Sequence, residues 1–253
     1  MNLSRLLAAR AEAGNPVRAG LIGAGKFGSM FLAQARLTTG LQILGIADLD
    51  VARAAANCRQ VGWTDEQFAA PSLDAAITSG ATHIGDDAMA LIAHPGLDVV
   101  IDATGDPRIG IRHCLEAIRN GKHVIMVNVE ADVVAGPLLA RKAEQAGVVY
   151  SLAWGDQPAL ITEHVDWARA CGFKVVCAGK GTRYLPDYHQ LTPDTVWDVL
   201  TQYLQIDPGS INLKMFNSFL DGTKSGIEMT AVCNATGLSP QDDGLGFPPA
   251  SRF

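Results

Sequence analysis

The sequence predicts an α/β fold, a doubly wound parallel sheet followed by a second α+β domain, on three observations. Apolar runs of strand length alternate with helix-forming stretches over the first 150 residues. Those runs lack polar alternation, as strands covered on both faces do. The first of them leads directly into Gly23-x-Gly25-x-x-Gly28 and then into a helix-forming segment.

Taken in order, the opening MNLSRLLAARAEAGNP carries arginines at positions 5 and 10 within a short apolar stretch, which suits an amphipathic helix and not the uninterrupted core of a signal peptide. Strands are expected at 17–22, 41–47, 98–102, 123–128 and 147–151, and helices at 27–38, 50–60, 86–93, 107–120 and 133–146. After Tyr150 the pattern changes at a Gly-Asp-x-Pro breaker, dividing the chain into 1–153 and 154–253. Asp156, two residues before Pro158, suits a helix N-cap, the alternative being that Asp156 and Gln157 face the nicotinamide end of a ligand crevice. A further strand is expected over FKVVCAGKG (173–181), ending in Lys180 between two glycines with Thr182 and Arg183 following. Glycines flanking a cation at a strand end suit a close-approach anion site, and equally a solvated lysine.

The glycine run has a chemical meaning. Gly23 permits a tight turn, Gly25 lets backbone approach a pyrophosphate, and Gly28 lets the helix pack close to the strand, with Lys26 and Phe27 between them. The helix N-terminus favours the anion. A second apolar run ends in Asp48, twenty residues after Gly28, where a carboxylate can accept from both hydroxyls of a ribose. This is the pattern of a Rossmann dinucleotide domain for NAD or NADP. Asp48 favours the free 2′-hydroxyl of NAD, whereas Arg53 can offset its charge toward a 2′-phosphate, so residues lean to NAD and leave NADP open. Two more strand ends reach the same edge: LDVVIDATGDP places Thr104 and Gly105 there, and HVIMVNVEAD places Asn128 and Glu130. Thr104 and Asn128 fit ordinary turn and capping chemistry as well as they fit a ligand.

Composition limits the partners. The 253 residues are 48% apolar and 18% charged, enough for one large core or two modest domains, with a net charge of −6 and no basic block to attract nucleic acid or an anionic membrane. No segment is long enough to span a bilayer. The five cysteines form no CxxC pair and suit reduced core residues of a cytoplasmic protein. No His/Cys spacing indicates zinc, while a divalent ion held by carboxylates leaves little pattern and stays open.

In the second half, a single helix through Asn217–Thr236 would gather Asn217, Ser218, Asp221, Lys224, Ser225 and Glu228 on one face, with Gly222 and Gly226 marking close backbone approach. Such a face is either solvated or turned toward the cofactor crevice.

Together GLIGAGKFGSMFLAQ, ADLD, IDATGDP, GKHVIMVNVEAD, SLAWGDQPALI, AGKGTRYLPDYH and MFNSFLDGTKSGIEM resemble the homoserine-dehydrogenase-like proteins that include 1-deoxy-D-xylulose 5-phosphate reductoisomerase-like enzymes. The resemblance implies a longer relative with a C-terminal SAF domain, of which this chain is a truncated form. It further implies an NAD(P)H-dependent reductase or reductoisomerase of a polar, phosphorylated keto sugar or a keto acid, with the second domain serving substrate and homodimerisation. Lys180 and Lys224 are then candidate cations, Asp221 and Glu228 candidate acid/base or metal-binding groups, and Ser218, Ser225 and Thr182 substrate-holding hydroxyls. A homoserine or other amino-acid or sugar dehydrogenase, and a non-catalytic dinucleotide-binding module, are the competing readings.

Overall fold

In the computed structural model the described residues are 2–182, 184–201 and 212–248. They fall into two compact units, Met1–Trp154 and Gly155–Phe253.

In the first unit, α1 (Leu3–Glu12) precedes β1 (Val17–Ile22), α2 (Lys26–Ala35), β2 (Leu41–Ala47) and α3 (Val51–Gln60). Next come α4 (Leu73–Ser79), β3 (His83–Gly85), α5 (Ala88–Ala93), β4 (Val99–Asp102), α6 (Pro107–Arg119), β5 (His123–Met126), α7 (Val129–Ala146) and β6 (Tyr150–Leu152). The six strands form one sheet in the order β3-β2-β1-β4-β5-β6, parallel throughout. Order reverses between β1 and β4. That is where open α/β sheets bind ligands, outside the carboxyl ends of the strands.

Both faces are buried, which explains the unbroken apolar runs. Leu21, Ile43, Ile46 and Ile101 join Leu32, Ala54 and Trp63 in one core, while Ile22, Leu44, Val100 and Val124 join Leu91, Cys114, Ala131 and Leu139 in the other. Successive strand residues thus alternate between two apolar layers.

The second unit contains α8 (Gln157–Ala170), α9 (Val196–Leu200), α10 (Leu213–Leu220) and α11 (Thr223–Thr236). Asp156 caps α8 by accepting from the N–H of Gln157, with Pro158 in the first turn. Helices α8 and α11 pack together, burying Val165, Ala231 and Val232, and Arg169 donates to the Thr236 carbonyl at 2.9 Å.

Two expectations for this unit are corrected. The stretch 173–181 forms no strand, because no ladder partner lies beside it among the described residues, and Phe173 and Val176 are exposed. The single helix through 217–236 breaks: Gly222 adopts φ +89°, and Asp221 Oδ1 accepts from the Thr223 N–H at 2.8 Å. A carboxylate bonding its own backbone two residues on competes with helix continuation, and glycine supplies the left-handed step. Gly226 is also not a point of close approach, since a Cβ there would meet nothing within 4 Å. The cysteine reading holds for Cys58 and Cys114, which are buried, but not for Cys171 and Cys177, which are exposed.

Candidate functional site

The glycine loop is held from several directions. Gly23 adopts φ +92°, and a Cβ there would lie 2.8 Å from the Ala103 carbonyl oxygen. A Cβ on Gly28 would lie 2.5 Å from the Gly23 oxygen. Both positions therefore exclude a side chain through the protein's own backbone. Gly25, the N-cap of α2, is different: its added Cβ would meet nothing within 4 Å, so the space before the helix N-terminus is open. A cradle closed at two glycines and open at the third fits a pyrophosphate. Lys26 and Phe27 follow, exposed on the first turn of α2.

Ala24, between the first two glycines, is pinned on both sides. Its N–H donates to Asp48 Oδ2 at 2.8 Å and its carbonyl accepts from Asn57 Nδ2 at 2.7 Å. Asp48 is buried, and its Oδ1 accepts from the Asp50 N–H and from Arg53 Nη2, each at 2.9 Å. Burial pushes the carboxyl pKa up, but the N–H groups of Asp50 and Ala24 and then the Arg53 guanidinium outweigh it, leaving the pKa below the ordinary carboxylate value. Asp48 thus anchors the loop.

At the end of β4, Thr104 donates its hydroxyl to Asp102 Oδ1 at 2.7 Å and accepts from Asn128 Nδ2 at 3.2 Å. Asn128 also caps α7 through Ala131 and donates to the Asp106 carbonyl at 2.9 Å. Both side chains are engaged in turn and capping chemistry. Gly105 is exposed at this edge, and Glu130 lies half-buried in the first turn of α7. Sequence reading passed over His113, which is buried and bonds Asp102 Oδ2 through Nδ1 at 2.7 Å. A histidine on a helical stretch carries no spacing signal of its own.

In the second unit, Glu228 is 3% exposed and pairs with Lys180 through Oε2 and with Lys224 through Oε1, the latter at 3.9 Å. Three of the four candidate catalytic residues therefore converge. Asp221 bonds elsewhere, accepting from Asn217 Nδ2 at 2.8 Å while its carbonyl meets His189 Nδ1 at 2.8 Å. Ser225 is buried, Ser218 donates to the Met215 carbonyl at 2.6 Å, Thr182 is exposed, and Arg183 lies outside the described residues. Among the described residues no group of three or more His, Cys, Asp or Glu side chains is placed to hold a metal ion, and no helix is long and apolar enough to cross a membrane.

The sheet order, the glycine cradle and the acid ending β2 define a dinucleotide-binding domain of the NAD(P)-dependent oxidoreductase class. Residues 19–152 match the family model described as homoserine dehydrogenase, NAD binding domain, and residues 155–253 that described as oxidoreductase DRL, catalytic domain. The first match spans more than half of the chain, which belongs to the homoserine dehydrogenase NAD-binding family.

A homoserine dehydrogenase from Pseudomonas aeruginosa is 34% identical over 83 residues, covering 33% of this chain and 19% of that protein. One from Methylobacillus glycogenes is 36% identical over 52 residues, covering 21% and 13%. The matched segments thus span less than a fifth of these curated relatives. The solved homoserine dehydrogenase of Thiobacillus denitrificans shares the fold, with a TM-score of 0.58 at 17% identity over 89% of this chain and 50% of that one.

Proposed function

We propose that the chain is the catalytic core of an NAD(P)H-dependent reductase acting on a polar carbonyl substrate, with a phosphorylated keto sugar such as 1-deoxy-D-xylulose 5-phosphate as the candidate and a reductoisomerase as the finer reading. The observation that carries this proposal is the convergence of Lys180 and Lys224 on buried Glu228, within residues that match an oxidoreductase catalytic domain.

Bound NAD(P)H supplies the hydride. The chain's own groups handle the charge that develops on the carbonyl oxygen. Two ammonium groups on one buried carboxylate form a preorganised cation pair for a developing alkoxide, and they suit an anionic substrate group. Glu228 holds both amines in place, and either lysine can return a proton to the alkoxide. Asp221, backed by Asn217, is the proposed base for proton movement between neighbouring hydroxyls in an isomerase step, with Ser225 and Thr182 as substrate-holding groups. The second unit serves substrate binding and homodimerisation. Exposed Trp167, Phe173 and Val176 support a self-association surface there, and a sedimentation experiment checks it. A cytoplasmic setting accords with the absence of paired cysteines among the five.

A second reading, a homoserine dehydrogenase, draws on the two curated relatives. Consumption of NADH and NADPH with keto sugars and their phosphates, keto acids and aspartate semialdehyde separates the two. The proposal expects fastest turnover with a phosphorylated keto sugar. Turnover of aspartate semialdehyde alone would replace it with the second reading, and cofactor binding without any turnover would leave a binding module.

A further inference from the structure

Asp102 is fully buried at the carboxyl end of β4, and nothing in the proposed chemistry uses it. It makes an unusual number of connections. Its main-chain carbonyl accepts from the N–H groups of Val127 at 2.9 Å and Asn128 at 3.2 Å, joining the end of β4 to the start of α7. Its carboxylate accepts from the N–H of Thr104 at 3.2 Å and the Thr104 hydroxyl at 2.7 Å, folding the turn after β4 back onto the strand. The remaining oxygen meets His113 Nδ1 at 2.7 Å. A carboxylate only accepts, so Nδ1 carries the hydrogen.

Helix α6, which carries His113, also packs closely on the start of α7. One turn before His113, Gly110 faces Asn128 so closely that a Cβ would lie 2.8 Å from Asn128 Nδ2 and 3.1 Å from the Ala131 Cβ. The turn held by Asp102 is also the one that closes the glycine loop. Ala103 donates to the Ile22 carbonyl at 2.8 Å, and its own carbonyl is the group that a side chain at Gly23 would strike. A continuous set of contacts therefore runs from His113 through Asp102 and Thr104 to the backbone beside Gly23.

We infer that His113 and Asp102 are positioning residues of the dinucleotide site: His113 fixes the Asp102 carboxylate, which fixes the Thr104 turn against the glycine loop. Neither side chain touches the cofactor in this role. The arrangement follows the general pattern in which a buried polar network holds the groups that meet a ligand.

The test is titration of the full chain with NAD and with NADP, beside thermal unfolding of each variant. His113→Leu removes the donor and leaves Asp102 with Thr104 alone. His113→Asn restores a donor, because the asparagine Nδ2 stands at nearly the same reach from the backbone as the histidine Nδ1. Thr104→Val removes only a half-buried hydroxyl and tests the turn end of the same contacts; where His113→Leu fails to fold, His113→Gln, whose donor stands one bond further out, takes its place. The expected result is a loss of about tenfold or more in affinity for both cofactors in His113→Leu and Thr104→Val, measured where each is folded. His113→Asn should return to within about threefold of the parent protein. Folded His113→Leu or Thr104→Val protein that binds both cofactors at parent affinity, with only the unfolding temperature lowered, would overturn the inference. So would failure of His113→Asn to restore the binding lost in His113→Leu.

Discussion

Asp48 and Glu228 are both buried carboxylates that hold a cation, but they are held in different ways. Asp48 accepts from two main-chain N–H groups before it meets Arg53, whereas the partners identified for Glu228 are the side chains of Lys180 and Lys224. Main-chain donors are fixed by the fold. Ammonium groups at the end of four-carbon stems are placed by side-chain packing and by the carboxylate itself. One carboxylate is therefore fixed by the main chain around it, and the other by two side-chain cations that it in turn holds in place. The remaining experiments test that contrast, beginning with the glycine loop.

The largest effect is expected at Gly25. The Cβ of a valine there meets no protein atom within 4 Å, so the unfolding temperature should stay near that of the parent while NAD and NADP binding disappears in titration calorimetry. Gly23→Val should behave oppositely, unfolding the domain, because the left-handed φ and the Ala103 carbonyl both oppose it. Equal losses of stability in the two variants would show that the cradle is not open at its centre.

Next in size is Lys224→Met. With Lys224 at the developing alkoxide, as proposed, loss of that charge should cost about 10²–10³ in turnover, with cofactor affinity unchanged. Steady-state kinetics on the best substrate of the carbonyl panel, together with an NADPH titration, checks both halves of that expectation. A variant that turns over like the parent would make the Lys180–Glu228–Lys224 cluster a structural ion pair and nothing more.

The two units also differ in how much the sequence disclosed. Val17–Ile22 and Leu41–Ala47 were legible because both faces of each strand are buried, which writes an uninterrupted apolar run. His83–Gly85 was not: three residues beside β2 offer no run to read, and the short α4 before it offers little periodicity. The glycines were legible because Gly23 and Gly28 each exclude a side chain through backbone contact, while Gly25 keeps the spacing of the pattern at the open helix N-terminus. In the second unit, residue spacing suggested a helical face through Glu228 but could not show the break at Gly222, which depends on Asp221 turning back onto Thr223. Lys180, which lies 48 residues from Glu228 in sequence, was singled out by its flanking glycines, although the strand expected around it does not form. His113 was missed because its role depends on how closely α6 approaches β4, which periodicity does not encode.

A smaller effect is expected from Asp48→Ala, which removes the proposed acceptor for the ribose. Losing a hydrogen bond to a charged group costs about 1.5–3 kcal/mol, roughly one to two orders of magnitude in affinity. NAD should weaken more than NADP, because removal of the carboxylate also removes repulsion toward a 2′-phosphate. Parallel titrations with the two cofactors give the ratio. An unchanged ratio with both affinities reduced would mean that Asp48 serves only to hold Ala24, and that cofactor choice lies with another group.

The smallest effect concerns Arg53 and sharpens the contrast between main-chain and side-chain support. The Asp48 carboxyl sits below its ordinary value, so it contributes stability that is present above the unfolded-state pKa near 3.8 and is lost as pH falls through the lower folded value. The N–H groups of Asp50 and Ala24 contribute more to that depression than Arg53, whose exposed guanidinium is screened by solvent. Provided that these N–H groups by themselves more than offset burial, the largest influence and one that raises the pKa, Arg53→Ala should shift the carboxyl titration upward only part of the way to 3.8, with the acid limb of the stability curve reduced but not lost. A carbon-detected NMR titration of the Asp48 carboxyl between pH 7 and about pH 2 follows the first quantity, and denaturant midpoints over the same range follow the second. If the carboxyl returns fully to its ordinary value in Arg53→Ala, Asp48 depends on a side-chain cation as Glu228 does, and the distinction between the two carboxylates is lost.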